Sequence, residues 1–189
     1  MLPFAPAEQT AFPFIPGEYR IKQVDAAWER SGCVALRRAV FCTEQRMFEG
    51  DDRDATDAHA IAIAAISCVA GAPDEVVGTV RIHRGDDATE PGLWWGSRLA
   101  VHRDYRGAAW LGTQLILHAV GSAQARGCTR FLAQVQVQNL RLFQRLHWQA
   151  LRPIAVQGRP HVLMQADLAH YPPRTQSEVR FVTSLRAAA

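Results

Sequence analysis

The spacing of apolar residues in the first half of the chain predicts a strand, a helical region and then three strands. Strands are predicted at residues 19–25, 60–71, 75–85 and 93–101. From residue 26 to about residue 48, apolar side chains recur at helical spacing, which favours one or two amphipathic helices. Asp25 stands where it can cap that region, and the turn GAPD separates the second and third strands.

The second half of the chain continues with helices and strands in alternation. Helices are predicted at residues 110–126 and 139–148, and strands at residues 130–138 and twice within residues 151–168. Gly127 ends the first of these helices, and Gln157–Gly158 joins the last two strands. Residues 1–18 carry four prolines and predict an extended arm, whereas residues 170–189 predict a tail.

This order of elements predicts one domain of the α/β (α+β) class over residues 19–169. Antiparallel strand neighbours come first and a β-α-β crossover follows, which implies a mixed sheet. We expect six or seven strands in that sheet and helices on both of its faces. With 189 residues, the chain is long enough for one domain with a sizeable core.

The composition is that of an ordinary globular protein, with 48% apolar and 21% charged residues. A formal net charge of +3 suits a small anionic ligand, and it argues against a nucleic-acid partner, which usually requires a clustered basic face. Arginine supplies nearly all of the positive charge, with Lys22 the only lysine. This bias is compatible with recognition of phosphate or carboxylate, and equally with a GC-rich genome.

The four cysteines form neither a disulfide pattern nor a metal-binding pattern. They are far apart and include no CxxC pair, so we expect free thiols, a reducing compartment and no metal cofactor. No apolar run approaches the length of a membrane span, and the first residues lack a basic segment followed by an apolar core. We therefore expect a cytoplasmic protein without a membrane partner.

A candidate anion site follows the strand predicted at residues 93–101. The sequence HRDYRGAAWLG leads from a strand end into a helix, whose first N–H groups carry a partial positive charge. Arg103 and Arg106 could donate charge-assisted hydrogen bonds to phosphate oxygens, and Gly107 lets the backbone approach a ligand closely. The same residues would also suit a plain strand-to-helix turn with two solvated arginines.

The succession of elements around this turn resembles the GNAT superfamily of acyl-CoA-dependent N-acyltransferases. The resemblance spans roughly Tyr19 to Leu168, and its matching positions are Tyr105–Arg106–Gly107, Leu111–Gly112 and Leu115–Ile116. The resemblance implies that the turn binds the pyrophosphate of acetyl-CoA or another acyl-CoA. It also implies that the pantetheine lies between two strands that diverge. The residues that would contact this co-substrate are Leu99, Val101, Arg103, Arg106, Gly107, Ala108, Ala109, Trp110, Leu111, Gly112, Asn139 and Phe143. The middle glycine of the family pattern is replaced in this chain.

The helix predicted from residue 139 carries a second feature of the superfamily in altered form. The family has an asparagine near the start of this helix and then a tyrosine that is assigned to protonate the departing thiolate. Here Asn139 holds the first position, and Phe143 stands where the resemblance places the tyrosine. Phenylalanine has no proton to give, so this role is filled elsewhere or is absent. A thiolate needs little help to leave near neutral pH.

An acidic loop at residues 49–59 offers candidate catalytic groups. Asp51, Asp52, Asp54 and Asp57 fall within seven residues, and such crowding raises the pKa of one carboxyl group. The cluster could bind a cationic amine, coordinate a cation or supply a base, or it could be a solvated loop that pairs with Arg53. We assign the base that deprotonates the acceptor amine to Asp54 or Asp57, which are nearest to the next strand.

This region also resembles two narrower groups of GNAT-related proteins. Arg37, Phe41, the four aspartates and Arg81 loosely match the autoinducer synthases, which acylate S-adenosylmethionine. The segments VFCTEQ, DDRD, WWGSRLAV, VQVQN and GRPHVLMQADL are similar to bacterial GNAT-like proteins that accompany nitrilases. The second resemblance implies no particular chemistry.

Polar residues on the predicted strands indicate a site for the acceptor substrate. Gln134 and Gln136 fall on one face of a strand, where they either line a cleft for a polar substrate or face solvent. We assign Arg81 and Arg98 to substrate orientation, since Arg98 could meet a substrate carboxylate. Surface or structural roles are expected for the three histidines at strand ends, His83, His102 and His161.

These features predict transfer of an acyl group from acyl-CoA to the amine of a small metabolite, by direct attack because no covalent nucleophile is evident. One alternative is a GNAT-shaped module that has lost acyl transfer and binds a metabolite or a partner protein, which Phe143 and the missing glycine would favour. Another is a synthase of the acyl-homoserine-lactone type. A homodimer is expected, since the arm at residues 1–18 is too apolar to remain solvated.

Overall fold

A single mixed sheet of eight strands organises the computed structural model, which describes residues 17–86, 88–107 and 110–182. The strands are β1 (Glu18–Gln23), β2 (Ile61–Val69), β3 (Ala72–Arg84), β4 (Leu93–Val101), β5 (Arg130–Gln136), β6 (Trp148–Val156), β7 (Arg159–Ala166) and β8 (Glu178–Val182). Their order across the sheet is β6-β7-β5-β4-β3-β2-β1-β8. Strands β4 and β5 are parallel, and every other neighbouring pair is antiparallel.

The predicted class is confirmed, but the predicted count of six or seven strands was too low. The additional strand is β8, which lies in the region predicted to be a tail and pairs with β1 at one edge of the sheet. The two prolines at 172–173 and the RAAA end of this region predicted a tail, and the five-residue sequence EVRFV was not recognised as a strand. The proposed arm, and with it the expected dimer contact, falls largely on residues 1–16, outside the described residues.

Three α-helices pack against the sheet: α1 (Ala27–Arg37), α2 (Trp110–Gln124) and α3 (Leu140–Arg145). A π-helical turn at Arg38–Glu44 continues α1 without a break. Ala64 and Ala65 are consecutive residues of β2 that belong to different core clusters. Ala64 is in the cluster of Cys33 from α1, and Ala65 is in the cluster of Leu115 from α2. Because successive side chains of a strand point to opposite faces, α1 and α2 cover opposite faces of the sheet.

Two tight turns connect antiparallel strands. Gln157 and Gly158 both have positive φ, 49° and 70°, and join β6 to β7 as the sequence predicted. The turn between β2 and β3 lies at Ala70 and Gly71, with φ of 51° and 79°, so the prediction of a longer turn at GAPD was wrong. Two residues with positive φ match the twist of the flanking strands better than a longer loop does.

Helix α2 is buried on its outer side as well as on its sheet side. The backbone N–H of Arg174 donates to the carbonyl of Gly121 at 2.9 Å, and Gln124 Nε2 donates to the carbonyl of Leu168 at 2.9 Å. A Cβ on Gly121 would lie 2.9 Å from the carbonyl oxygen of Pro172, so this close approach requires glycine. Among the described helices, α2 is the longest at 15 residues, and none has the length and hydropathy needed to cross a membrane.

Removal of the buried Tyr171 hydroxyl is expected to destabilise the fold. This hydroxyl accepts a hydrogen bond from Trp148 Nε1 at 2.9 Å and donates one to the carbonyl of Leu146. Tyr171→Phe leaves both groups without this partner, so it should lower the free energy of unfolding by about 2 kcal/mol in urea denaturation. Tyr105→Phe, whose hydroxyl bonds the exposed Glu75, is the control and should change it by less than about 1 kcal/mol. Equal effects of the two substitutions would contradict this account.

Candidate active site

The central feature of the site is a gap between the parallel strands β4 and β5. Residues Leu93–Gly96 of β4 pair with Arg130–Ala133 of β5, at the N-terminal ends of both strands. Beyond these residues the two strands separate. Strand β4 also shifts register against β3 after Ser97, and Arg98 there has a φ of 54°. Such a bulge bends the strand that carries it. The bend turns the end of β4 away from β5 and opens the sheet.

A cavity of about 360 Å³ fills this gap and reaches both faces of the sheet. Its lining includes eight of the residues predicted for the site, namely Asp54, Arg81, Arg98, Leu99, Gln134, Gln136, Asn139 and Phe143. The face covered by α1 contributes most of the polar lining, because Arg81, Ser97, Gln134 and Gln136 alternate with the core residues of their strands. The face covered by α2 contributes apolar side chains. The cavity is therefore apolar on the α2 side, whereas its α1 side combines these polar groups with Phe41, Met47 and Phe48.

The acidic loop and three arginines form one network beside the cavity. Arg37 binds Asp57 at 2.6 Å and Asp52 at 2.8 Å. Arg81 binds Asp54 at 2.6 and 3.0 Å in a bidentate pair and also lies 3.0 Å from Asp57. These contacts order the loop over residues 52–57 and fix it against the edge of the cavity.

Arg98 joins this network from the bulge in β4. Its guanidinium lies 2.9 Å from a carboxylate oxygen of Asp52, and it donates to the carbonyl oxygen of Asp52 at 2.8 Å. It also donates to Asp54 at 3.0 Å and stacks over the ring of Phe48, 4.6 Å from the centroid. The two arginines predicted to orient the substrate, Arg81 and Arg98, are thus already engaged by aspartates. The network contains three cationic and three anionic side chains and has no net charge.

These contacts make the two predicted bases weak proton acceptors. The hydrogen bonds from Arg81 hold the pKa of Asp54 below its usual value, although burial opposes this effect. Burial alone would raise the pKa of Asp57, but the hydrogen bonds from Arg37 and from the backbone of Asp54 outweigh it and lower that pKa strongly. The expectation that crowding would raise one pKa is not met at either residue, because each carboxylate has an arginine partner.

The turn after β4 places the predicted phosphate ligands outside the cavity. Arg103 is 78% exposed, whereas Arg106 forms a bidentate pair with Glu44 at 2.5 and 2.8 Å and donates to the carbonyl of Val101 at 3.0 Å. Space around Gly107 is open, since an added Cβ would meet nothing within 4 Å. The turn thus carries two accessible cations before the N-terminus of α2, and Ala108 and Ala109 lie outside the described residues.

Several residues assigned to this turn pack inward instead of facing a ligand. Leu111 is fully buried, and the ring of Trp110 contacts Tyr19 at 5.2 Å and Phe181 at 5.6 Å between centroids. A Cβ on Gly112 would approach Val101 only to 3.9 Å, so tight packing does not require glycine there. For these three positions, the contribution to a ligand site is limited to the backbone of the first helical turn.

No tyrosine stands where a general acid would be expected. Phe143 is 6% exposed and packs edge-on against Trp148, with 5.0 Å between ring centroids. None of the three tyrosines of the chain, all of them described, is part of the cavity lining. Tyr105, the nearest in sequence to the turn, donates its hydroxyl proton to Glu75 at 2.6 Å. Departure of a thiolate from this site would proceed without a tyrosine acid.

The structure brings His161 into the cavity, a residue that the sequence did not single out for catalysis. Strand β7 pairs with β5 so that His161 is directly opposite Gln136, and side chains opposite each other lie on the same face. His161 is 4% exposed and lines the cavity, and its Nδ1 lies 2.9 Å from the carbonyl oxygen of Arg159. A carbonyl oxygen only accepts, so Nδ1 carries a proton, and a neutral ring with that proton has its lone pair on Nε2.

A signal for His161 existed in the sequence but required knowledge of strand pairing. In PHVLMQA, His161 alternates with the core residues Val162 and Met164, which places it on the opposite face of its strand. That face becomes part of the site only because β7 pairs with β5. The same holds for Gln45, whose side-chain oxygen accepts from Gln136 Nε2 at 2.8 Å across 91 residues of sequence.

A mixed sheet that opens between two parallel strands is the GNAT-like architecture that the sequence predicted. Residues 33–148 match the sequence profile of the acetyltransferase (GNAT) family. The chain therefore belongs to this family of acyltransferases. No curated protein matches the chain in sequence.

Solved structures with the same fold include an N-acetyltransferase candidate from Lactobacillus plantarum, which is 24% identical and has a TM-score of 0.67. The matched region covers 78% of this chain and 97% of the Lactobacillus chain. An acyl-CoA N-acyltransferase from Pseudomonas aeruginosa is 18% identical with a TM-score of 0.61, over 78% and 98%. The CoA-dependent acyl-homoserine lactone synthase BjaI, solved with SAM and isopentyl-CoA, is also 18% identical with a TM-score of 0.61, over 78% and 82%. At these identities the likeness concerns the fold.

The pairing of Asp57 predicts loss of stability in acid. Because its pKa is lower in the folded chain than the unfolded value of about 3.9, its stabilising contribution is complete above about pH 5 and declines as the pH falls below about 4. Asp57→Asn should lower the free energy of unfolding at pH 7 by about 3 kcal/mol and flatten its dependence on pH between about 5 and 3. Urea denaturation at each pH measures both quantities.

Asp104→Asn provides the matched control for this prediction. The side chain of Asp104 is 72% exposed and lies at the turn after β4, so its loss should leave both the stability and its pH dependence nearly unchanged. The assignment of Asp57 would be wrong if Asp57→Asn and Asp104→Asn had the same acid slope as the parent protein.

Proposed function

We propose that the protein transfers an acyl group from acyl-CoA to the amine of a small molecule. The observation that carries this proposal is the gap between β4 and β5, which opens a cavity that reaches both faces of the sheet. Family membership supports the acyl-CoA donor, and so does the presence of isopentyl-CoA in the structurally similar BjaI and of coenzyme A in the similar NatC complex. An acyl-CoA placed in the gap would have its thioester between the apolar side and the polar side of the cavity.

The turn after β4 offers two arginines and open space to the pyrophosphate of coenzyme A, although Arg103 lies 3.6 Å from Asp104 and Arg106 is paired with Glu44. Arg103 is exposed, Arg106 is 41% exposed, and the space around Gly107 is open to a ligand. Arg106 would exchange Glu44 for a phosphate oxygen, because an exposed ion pair is weak and a bidentate bond to phosphate is at least as favourable. The helix N-terminus behind the turn adds a favourable partial charge.

The polar pocket suits an uncharged amine with hydrogen-bonding groups. Its amides, Gln45, Gln134 and Gln136, can each donate and accept, whereas the charged residues nearby neutralise one another. We assign Gln134 and Gln136 to orientation of the acceptor. Asp54, Asp57, Arg81 and Arg98 then act as positioning residues, which hold the wall of the pocket through their mutual ion pairs.

We assign the proton acceptor to His161 in place of Asp54 or Asp57. The amine nitrogen forms a bond to the thioester carbonyl carbon, the carbon–sulfur bond breaks, and its electron pair leaves with the sulfur. The proton of the amine passes to Nε2 of His161, whose Nδ1–H remains bonded to the carbonyl of Arg159. A thiol with a pKa near 8.5 leaves readily without a general acid, which is compatible with Phe143.

Release of free thiol from acyl-CoA in the presence of pooled amines tests the reaction itself. Thiol release that depends on an added amine is the expected result. A module that has lost acyl transfer would release no thiol with any donor, and a synthase of the acyl-homoserine-lactone type would release methylthioadenosine from S-adenosylmethionine. Either of these results would replace the proposed function.

Reversal of the charge at Arg106 is expected to weaken donor binding. Arg106→Glu removes a phosphate ligand and sets a second carboxylate beside Glu44, so the affinity for coenzyme A in calorimetric titration should fall at least about tenfold. The control is Arg152→Glu, an exposed arginine on β6 away from the turn, which should leave the affinity unchanged. Unchanged affinity in Arg106→Glu would remove the phosphate assignment.

Loss of the imidazole at position 161 is expected to slow the chemical step. His161→Gln should reduce kcat by roughly 10²- to 10⁴-fold, while the affinity for coenzyme A stays the same. His170→Gln, an exposed histidine outside the cavity, is the control. A kcat within about threefold of the parent protein would exclude His161 as the proton acceptor.

A further inference from the structure

The cavity has an inner part on the α2 side of the sheet whose side chains are all apolar. This inner chamber is formed by Ile116, Ala119, Val120, Phe131, Phe143 and Trp148. Each of the six is 6% exposed or less, so bulk water reaches the chamber only through the gap between the strands. The single polar atom among them, Trp148 Nε1, is bonded to the hydroxyl of Tyr171 at 2.9 Å. The chamber therefore offers a ligand no hydrogen bond.

An open apolar space of this kind is unusual in a folded core. Protein interiors pack to the density of organic crystals, and an apolar void costs stability in proportion to its volume. Here the void adjoins the gap where the thioester would lie and is continuous with the polar pocket. Its position favours a ligand group that enters through the gap and carries no polar atoms at its end.

We infer that the inner chamber binds the hydrocarbon chain of the donor, so that the preferred substrate is a medium-chain acyl-CoA and not acetyl-CoA. This inference rests on the proposed function. An apolar cavity of about 150 Å³ holds benzene, which has six carbons. The whole cavity, with the gap and the polar side included, has a volume of about 360 Å³, and a chamber of about 150 Å³ within it would accommodate an acyl chain of about six carbons. The single methyl group of an acetyl donor would leave most of the chamber empty.

Chain length should therefore change the rate by a predictable factor. Each methylene moved from water into the chamber is expected to raise kcat/KM about fourfold, until the chamber is full. Beyond that length we expect the chain to meet Phe131 and Trp148, whose rings pack against each other at 5.8 Å between centroids. A rise in kcat/KM with chain length, followed by a decline, distinguishes a closed chamber from an open apolar surface. On an open surface, longer chains would continue to improve binding.

The experiment is a comparison of coenzyme A with its acetyl, butanoyl, hexanoyl and octanoyl thioesters, by calorimetric titration and by thiol release with pooled amines. Tighter binding and faster release with butanoyl- and hexanoyl-CoA than with acetyl-CoA are expected. Equal affinity for all thioesters, or a preference for acetyl-CoA, would overturn the inference that the chamber binds the acyl chain. It would leave the proposed acyltransferase function unchanged. Failure of coenzyme A and of every thioester to bind would overturn both.

Two variants with opposite effects on the chamber make the test independent of folding. Ala119→Leu fills the chamber and should lower the ratio of hexanoyl to acetyl activity at least about tenfold, whereas Val120→Ala enlarges it and should shift the optimum to a longer chain. The control is Ala155→Leu, at an exposed position of β6 outside the cavity, which should keep the parent ratio. An unchanged optimum in Val120→Ala, with urea denaturation showing a folded protein, would contradict the chamber.

Discussion

The buried carboxylate of Asp52 holds two guanidinium groups together, and the shape of the cavity depends on this contact. Arg37 at the end of α1 and Arg98 in β4 lie 2.8 and 2.9 Å from the same carboxylate oxygen, whose side chain is fully buried. A buried charge is costly unless it is paired, so these groups must assemble together. Arg98 is also the bulge residue with positive φ, and its contact with Asp52 stabilises the bend that separates β4 from β5. One ion pair thus links the acidic loop to the opening of the sheet.

The same network decides which groups remain available for chemistry. Arginine partners lower the pKa of Asp54 and of Asp57, and they occupy the oxygens that an incoming amine would use. The polar pocket also contains groups without a charge, namely the hydrogen-bonded amides of Gln45 and Gln136 and the imidazole of His161, whose Nδ1 is bonded to the carbonyl oxygen of Arg159. On the other side of the sheet, hydrophobic packing around Phe143 and Trp148 leaves an apolar space without competing hydrogen bonds. The two halves of the cavity therefore favour different parts of one reaction, an amine on one side and an acyl chain on the other.

Burial of α2 on both sides shows how a terminal segment can complete a fold. The outer side of this helix carries Gly121, which allows the chain near Pro172 and Arg174 to approach closely before β8 joins the sheet beside β1. This cover keeps α2 fixed at the turn that precedes it, where Arg103 and Arg106 lie. The position of the turn that carries Arg103 and Arg106 thus depends on a segment that follows β7 in the chain.

The sequence alone determined most of the local elements, the fold class and the family resemblance, because apolar periodicity and turn residues act over a few positions. Strand β4, helix α2 and the turn at Gln157–Gly158 follow directly from such patterns. Which residues enter the cavity, and which of them are held in ion pairs, was decided only by the tertiary structure. His161 enters the cavity because β7 pairs with β5, and Asp54 loses its basicity because Arg81 reaches it across 27 residues of sequence. Strand order and ion pairing depend on contacts between distant segments, and a linear pattern records the residues of such contacts but not their partners.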